Sequence, residues 1–135
     1  MSLDEKLKAE CEDFIAGFRS VLLSTLNADG SPDLSYTPFV DHDQQFFILT
    51  SHLSAHTGNL IHDPRATVLF IEDEPACKQI YARQRLRFQC EAQRFARESD
   101  TWNSLIDLFS GRFGGIIDTL SALPDFELFA LQPLG

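Results

Sequence analysis

The sequence predicts a mainly β, α+β fold in which six antiparallel strands form a barrel with helices at its edges. Two tight turns carry this prediction, at residues 27–30 (NADG) and 41–44 (DHDQ), because each separates apolar runs of strand length in the pattern of a meander. The chain has 135 residues, of which 44% are hydrophobic, which is enough for one buried core. We therefore expect a single domain over residues 1–135.

The first half of the chain is predicted to contain two helices and three strands. An amphipathic helix opens it, because apolar residues recur at three- and four-residue steps: Leu3, Leu7, Cys11, Phe14, Ile15 and Phe18. Strands are expected over residues 21–26, 34–40 and 45–49, and the second begins after Pro32, where a missing N–H is tolerated. A short helix follows near residues 55–62.

The second half is predicted to contain three more strands and two more helices. A buried strand over residues 66–71 ends at the charged and proline-containing segment 72–75, and a long strand covers residues 83–94. Ser99 is a good N-cap for a helix that runs through Phe109. Glycines within residues 111–115 break that helix, a second helix lies around 116–121, and residues 126–131 alternate like a closing strand.

Charge and cysteine content exclude several classes of protein. The net charge of −9 argues against nucleic acid or an anionic membrane as a partner. We find no apolar run long enough to cross a membrane and no signal peptide at the N-terminus. The cysteines, Cys11, Cys77 and Cys90, show no paired spacing, which is typical of reduced thiols. We therefore expect a cytoplasmic protein.

The corner between Thr50-Ser51 and the short helix is the strongest candidate site. A strand end that supplies hydroxyls and leads into a helix start also offers free backbone N–H groups, which hold anions. His52 and His56 are spaced to share one side of a helix, but no supporting carboxylate or H-E-x-x-H motif indicates zinc. A single histidine beside a cofactor, or as an axial haem ligand, is the more plausible role, and a surface or capping histidine is the open alternative.

A cluster of arginines stands out in this acidic chain. Arg83, Arg85 and Arg87 follow the period of a strand, so we expect all three on one face, where they could grip a phosphate or a pair of carboxylates. The alternative is a solvated face paired with the acids of residues 72–74. Because no nucleophile elbow, Walker loop or G-x-G-x-x-G motif occurs, a bound cofactor would have to carry any difficult chemistry.

Several motifs give the chain a resemblance to the pyridoxamine-phosphate-oxidase-like split barrels. They are residues 22–26 (LLSTL), 27–32 (NADGSP), 35–40 (SYTPFV), 51–60 (SHLSAHTGNL) and 63–65 (DPR). Within that superfamily the chain is most similar to the haem-utilisation branch, on residues 71–74 (IEDE), 82–86 (ARQRL), 112–118 (RFGGIID) and 123–126 (LPDF). The resemblance implies a six-stranded split barrel that forms a homodimer, with a small-molecule cofactor bound at the subunit interface.

The flavin-binding relatives suggest one use of the corner. Their FMN phosphate is held by an Arg, a Lys and a Thr/Ser pair at the end of the third strand, and Thr50 and Ser51 match that pair. The family's Lys falls at His56, and residues 35–40 lack the Arg expected on the second strand. An FMN-dependent oxidoreductase, with Thr50, Ser51 and Asn59 around the phosphate, is therefore the alternative function.

The haem-utilisation branch implies a different use of the site. Arg83 and Arg85 would hold haem propionates, and Asp125 would orient a ligand histidine by hydrogen bonding. That branch continues with a glycine-rich final strand and a tail that carries the axial histidine, whereas this sequence ends at Gly135. We therefore expect either a shortened chain that lacks the family's last strand, or an iron ligand taken from His52 and His56.

Haem binding for haem-iron utilisation is thus the function that the sequence favours. Whether the protein is also an enzyme, a haem-degrading oxygenase or an FMN-dependent oxidoreductase, stays open at this point. A split barrel that binds neither cofactor and serves as a binding module is the third alternative.

Overall fold

A computed structural model describes residues 2–134 of the chain, with one antiparallel sheet and four helices. The strands are β1 (Ser20–Leu26), β2 (Pro32–Pro38), β3 (Val40–His42), β4 (Gln45–Ser51), β5 (Arg65–Ile71), β6 (Arg85–Phe95) and β7 (Phe126–Pro133). The helices are α1 (Leu3–Ala16), α2 (Ala55–His62), α3 (Asp100–Phe113) and α4 (Ile116–Ala122). The strand order is β2-β1-β5-β6-β7-β4-β3, and the sheet curls into a half-barrel.

The prediction of six strands was wrong, because the strand expected over residues 34–40 is two strands. β2 ends at Pro38 and β3 begins at Val40, with Phe39 fully buried between them. β2 pairs with β1, whereas β3 pairs with β4, so the two strands lie at opposite edges of the sheet. Proline cannot donate to a ladder, which favours a change of partner at this point. Within residues 2–134 no ladder joins these two edges, and the barrel stays split there.

The two predicted turns and the Ser99 cap are confirmed, whereas α1 ends at Ala16, before Phe18, and α3 continues past Gly111 to Phe113. Gly30 has φ of 84°, and the 41–44 turn uses Asp43 and Gln44 at φ of 52° and 62°, which is the backbone of a hairpin turn of the primed type. The Ser99 side chain accepts a hydrogen bond from the backbone N–H of Trp102, as expected for an N-cap of α3. Gly114 follows the end of α3 with φ of 84°.

The two faces of the sheet are covered unequally. The concave face packs against α1 through a cluster of aromatic rings: Phe14, Phe18, Phe39, Phe46, Phe70 and Phe88. On the other face, α3 and α4 cover β3, β4 and β7 through Trp102, Leu105, Phe109 and Ile117. The outward face of β2, β1, β5 and β6 keeps exposed side chains, with Leu34 at 75% and Tyr36 at 66% of full exposure. No helix in the described residues is long and apolar enough to cross a membrane.

Candidate functional site

The two hydroxyl groups of the predicted anion corner are already bonded inside the protein. Thr50, which ends β4 together with Ser51, is only 4% exposed. The Thr57 hydroxyl of α2 lies 2.8 Å from the Thr50 hydroxyl and donates to the Ser51 carbonyl oxygen at 2.6 Å. The Ser51 hydroxyl donates to the Asp125 carboxylate at 2.9 Å and accepts from the Leu53 N–H at 3.1 Å. An anion at this corner would therefore have to displace existing hydrogen bonds.

His52 does not lie on the helix that carries His56, so their spacing does not bring the two rings to one side of a helix. Because α2 begins at Ala55, His52 belongs to the turn before the helix. Its Nε2 lies 3.0 Å from Oε1 of Glu127. The same carboxylate accepts two hydrogen bonds from Arg94, from Nε to Oε2 at 2.9 Å and from Nη2 to Oε1 at 2.7 Å. The Arg94 hydrogen bonds are the main cause of the lowered pKa of the Glu127 carboxyl.

His56 lies on the buried side of α2 and is only 5% exposed. Its Nδ1 is 2.9 Å from the hydroxyl oxygen of Ser35 on β2, so the ring ties α2 to an edge strand. Burial lowers the pKa of His56, and the nearby Asp33 carboxylate opposes this only in part. The imidazole is therefore neutral at pH 7. No group of three or more His, Cys, Asp or Glu residues among 2–134 is arranged to hold a metal ion.

Asn59 completes the contacts of α2 with the sheet. Its side-chain amide donates to the Thr25 hydroxyl at 3.1 Å and to the Asn27 side-chain oxygen at 3.0 Å. The structure thus brings six of the eight predicted site residues to the region around α2: Thr50, Ser51, His52, His56, Asn59 and Asp125. The two remaining residues, Arg83 and Arg85, lie elsewhere.

Arg83 and Arg85 lie at the other end of the sheet from α2, where β5 ends and β6 begins. Arg85 pairs with Ile71, at the end of β5 that is remote from α2. Arg83 precedes β6, so the expectation of a strand starting at residue 83 was wrong by two residues. The Arg83 guanidinium donates to the Glu72 carbonyl oxygen from Nε and Nη2, at 2.9 and 2.6 Å. This anchor takes Arg83 out of the strand and away from the face that Arg85 and Arg87 share.

Arg85 and Arg87 have no carboxylate partner among residues 2–134. The ion pairs that the structure records there are His52–Glu127, Arg65–Asp63 and Arg94–Glu127. Arg85 donates instead to the Arg83 carbonyl oxygen at 3.0 Å. No ion pair between this face and the acids of residues 72–74 is recorded, so the two exposed guanidinium groups of Arg85 and Arg87 can also interact with an external anion.

An apolar row next to these arginines was missed in the sequence. Tyr36, Leu22, Leu69 and Arg87 are direct cross-strand partners on β2, β1, β5 and β6, so their side chains point to the same outward face. Leu34 lies two residues from Tyr36 and joins the same face. The surface that results, Leu22, Leu34, Tyr36, Leu69, Arg85 and Arg87, is called the outer face below.

The alternation along β2 carried a signal for this row. Polar Ser35 and Thr37 alternate with apolar Leu34 and Tyr36. The usual expectation buries the apolar set, but here Thr37 is 2% exposed and Ser35 bonds to buried His56. A strand whose small hydroxyl residues point inward therefore presents its apolar residues outward, where a ligand or another chain can cover them.

Comparisons with known proteins agree with this architecture. The family model described as pyridoxamine 5'-phosphate oxidase matches residues 7–135. The heme oxygenase HutZ of Vibrio cholerae is 41% identical over 131 residues, which span 97% of this chain and 74% of HutZ.

Two solved structures are similar to this chain both in fold and in sequence. HutZ from Vibrio cholerae, there called the heme storage protein, has a TM-score of 0.90 at 41% identity over 96% of this chain and 91% of the HutZ chain. Campylobacter jejuni ChuZ has a TM-score of 0.84 at 31% identity over 96% of this chain. This chain spans about half, 53%, of the ChuZ chain. The protein therefore belongs to the pyridoxamine 5'-phosphate oxidase family, in the haem-utilisation branch together with HutZ and ChuZ.

Proposed function

We propose that this protein binds haem and serves haem-iron utilisation. The observation that carries the proposal is the 41% identity with HutZ, a heme oxygenase, across 97% of the chain. HutZ itself is named both a heme oxygenase and a heme storage protein, so turnover of bound haem is a separate question. When bound, haem supplies the iron and the oxygen chemistry, and the chain binds and orients it.

The outer face fits the chemistry of haem. Haem is a flat apolar ring with carboxylates at one edge, and the outer face joins exposed apolar side chains to arginines without carboxylate partners. Arg85 is the main proposed propionate contact. Arg83, which lies just before β6 and beside the outer face, not on it, is the second proposed contact, because its Nη1 forms no hydrogen bond to residues 2–134 while Nε and Nη2 hold Glu72.

His56 is the proposed neighbour of the iron, in preference to His52. Metal-ligating histidines are neutral and hold their second nitrogen by a hydrogen bond, and the lowered pKa of His56 and its contact with Ser35 meet both conditions. His52 instead engages a carboxylate. Asp125, bonded to Ser51, is the proposed orienting acid at the edge of this region.

In a homodimer, one haem could contact Arg85 of one subunit and His56 of the other. Arg85 begins β6 opposite Ile71, at the end of β5 that is remote from α2, so Arg85 and His56 of one subunit are well separated. We propose that a second copy covers the outer face and that the cofactor lies between the two subunits, in the cytoplasm. Leu34 and Tyr36, 75% and 66% exposed, are the apolar side chains that such a contact would bury.

FMN has less support from the same geometry. Ser51 donates to Asp125, so a phosphate at Ser51 would lie next to a carboxylate, and the two negative charges would repel. His56 stands where the family has a lysine and is neutral, so it offers no positive charge. Asn59 directs its amide to Thr25 and Asn27.

Absorption titrations with haem and with FMN, each added to the purified protein, test the proposal. We expect a Soret band that saturates at about one haem per subunit and no flavin uptake. Flavin uptake without haem uptake would replace the proposal with the FMN-dependent oxidoreductase. Colourless protein that takes up neither would favour a binding module.

Arginine variants test where the propionates bind. Loss of one charge-assisted contact in Arg85→Ala should weaken haem affinity by about 10- to 150-fold, the equivalent of about 1.5–3 kcal/mol. Arg65→Ala is the matched control, because Arg65 is an exposed arginine that is already paired with Asp63 at 2.7 Å. Equal affinities of the two variants would remove Arg85 from the site.

A further inference from the structure

Arg97 lies just after β6, outside the candidate site, and binds three backbone carbonyl groups. Its Nη1 donates to the Ser121 oxygen at 2.6 Å, and its Nη2 donates to the oxygens of Leu123 and Phe126, the latter at 3.2 Å. Ser121 is near the end of α4 and Phe126 begins β7. The guanidinium therefore spans the α4–β7 loop, and Asp125 lies between the carbonyl groups that it holds.

The orientation of Arg97 is itself fixed by packing. Its guanidinium carbon lies 4.9 Å from the ring centroid of Trp102, and Trp102 is 4% exposed at the start of α3. A guanidinium over an aromatic face keeps its N–H groups at the edge, free to donate in the plane. Trp102 thus provides a rigid base from which Arg97 reaches the α4–β7 loop.

Two hydrogen bonds connect that loop to the turn before α2. The Asp125 carboxylate accepts from the Ser51 hydroxyl at 2.9 Å, and the Asp125 carbonyl oxygen accepts from the His52 N–H at 2.8 Å. The turn is closed by the Leu53 N–H, which donates to the Ser51 hydroxyl oxygen at 3.1 Å. The contacts therefore run from Arg97 through Asp125 to Ser51 and His52, although none joins Arg97 to the turn directly.

We propose that Arg97 is a positioning residue that holds the α4–β7 loop so that Asp125 can fix Ser51 and His52. The effect on haem rests on the proposed function, whereas the mechanical coupling between the loop and the turn does not. A lysine at this position would keep the charge but lose the planar fork that meets three carbonyl groups at once.

Amide hydrogen exchange of the full chain tests the coupling in Arg97→Ala and Arg97→Lys. We expect the His52 and Leu53 amides to exchange about tenfold or more faster in the alanine variant, with an intermediate effect in the lysine variant. Arg112→Ala is the matched control, since Arg112 also donates to a backbone carbonyl, that of Phe18, and lies 5.4 Å from the ring centroid of Phe39. Equal exchange of the His52 and Leu53 amides in Arg97→Ala and Arg112→Ala would overturn the proposal.

Haem titration supplies the second readout. Arg97→Ala should change the Soret band of the haem-bound protein, and Arg112→Ala should leave it as in the wild type. An unchanged Soret band in Arg97→Ala would overturn the link from Arg97 to the haem site. If the wild type takes up no haem, the proposed function fails while the exchange data still decide the role of Arg97. If Arg97→Ala does not fold, Arg97→Lys against Arg112→Lys is the comparison that decides both points.

Discussion

The Ser51 hydroxyl donates to the Asp125 carboxylate across 74 residues of sequence, at 2.9 Å. Ser51 is the last residue of β4, and Asp125 is the last residue before β7, so this bond lies where the two paired strands meet at one end. In a flavin-binding relative the Thr/Ser pair would face a phosphate. Here the Ser51 hydroxyl is bonded to an internal carboxylate, so we expect it to contribute to the stability of the protein.

Ser51→Ala should lower the free energy of unfolding by about 1–3 kcal/mol, because it leaves the partly buried Asp125 carboxylate without its donor. Urea denaturation followed by circular dichroism measures the change. Ser54→Ala is the control, since the Ser54 side chain precedes α2 but forms no capping hydrogen bond. A loss in Ser54→Ala as large as that in Ser51→Ala would contradict this assignment.

The free energy of unfolding should decrease as the pH is lowered, because His56 takes up a proton. Its pKa in the folded protein is lowered below 6.5 by burial, so the unfolded chain binds the proton first as the pH falls. The contribution is complete above about pH 6.5 and is lost between that pH and the lower pKa of the folded state, with a slope of at most about 1.4 kcal/mol per pH unit.

Urea midpoints at several values between about pH 7.5 and 5.5 measure this dependence while most carboxyl groups stay ionised. His56→Gln removes the titrating group and keeps a side chain that can bond to Ser35. Its stability should therefore vary less with pH over this interval. The same pH dependence in both proteins would show that another group is responsible.

Cys90 should resist thiol reagents that modify Cys11 and Cys77. Burial raises the pKa of the Cys90 thiol to about 12, and the residue is 1% exposed, whereas Cys11 and Cys77 are partly exposed. Iodoacetamide at about pH 8, followed by peptide mass spectrometry, should modify two cysteines in the folded protein and all three in urea. Rapid alkylation of Cys90 in the folded state would mean that the sheet opens readily at β6.

Local chemistry predicted the parts of the fold that depend on neighbouring residues. The turn at residues 41–44, the Ser99 cap and the position of α2 all follow from short patterns. The division of one predicted strand at Phe39 does not, because the change of partner at this point depends on β1 and β4, which are distant in the sheet. The prediction of six strands failed there.

The candidate site was also predicted only where it depends on residues that are close in the sequence. Thr50 and Ser51 end the strand before α2, and His56 and Asn59 lie on α2, so their proximity follows from sequence spacing. The sequence also identified Asp125 by resemblance, but its bond to Ser51 is a tertiary contact. The outer face could not be found by periodicity alone, because a period of two identifies the residues that share a face but not which face is buried.

The outer face should be the contact between two subunits. Leu34→Ser combined with Tyr36→Ser removes its two most exposed apolar side chains without touching the core, so we expect a dimer in the wild type and a monomer in the double variant. Leu53→Ser is the control, since Leu53 is 92% exposed but lies in the turn before α2. Light scattering coupled to size-exclusion chromatography distinguishes the two masses. A double variant that stays dimeric would exclude this face as the main contact, and a monomeric wild type would exclude the dimer itself.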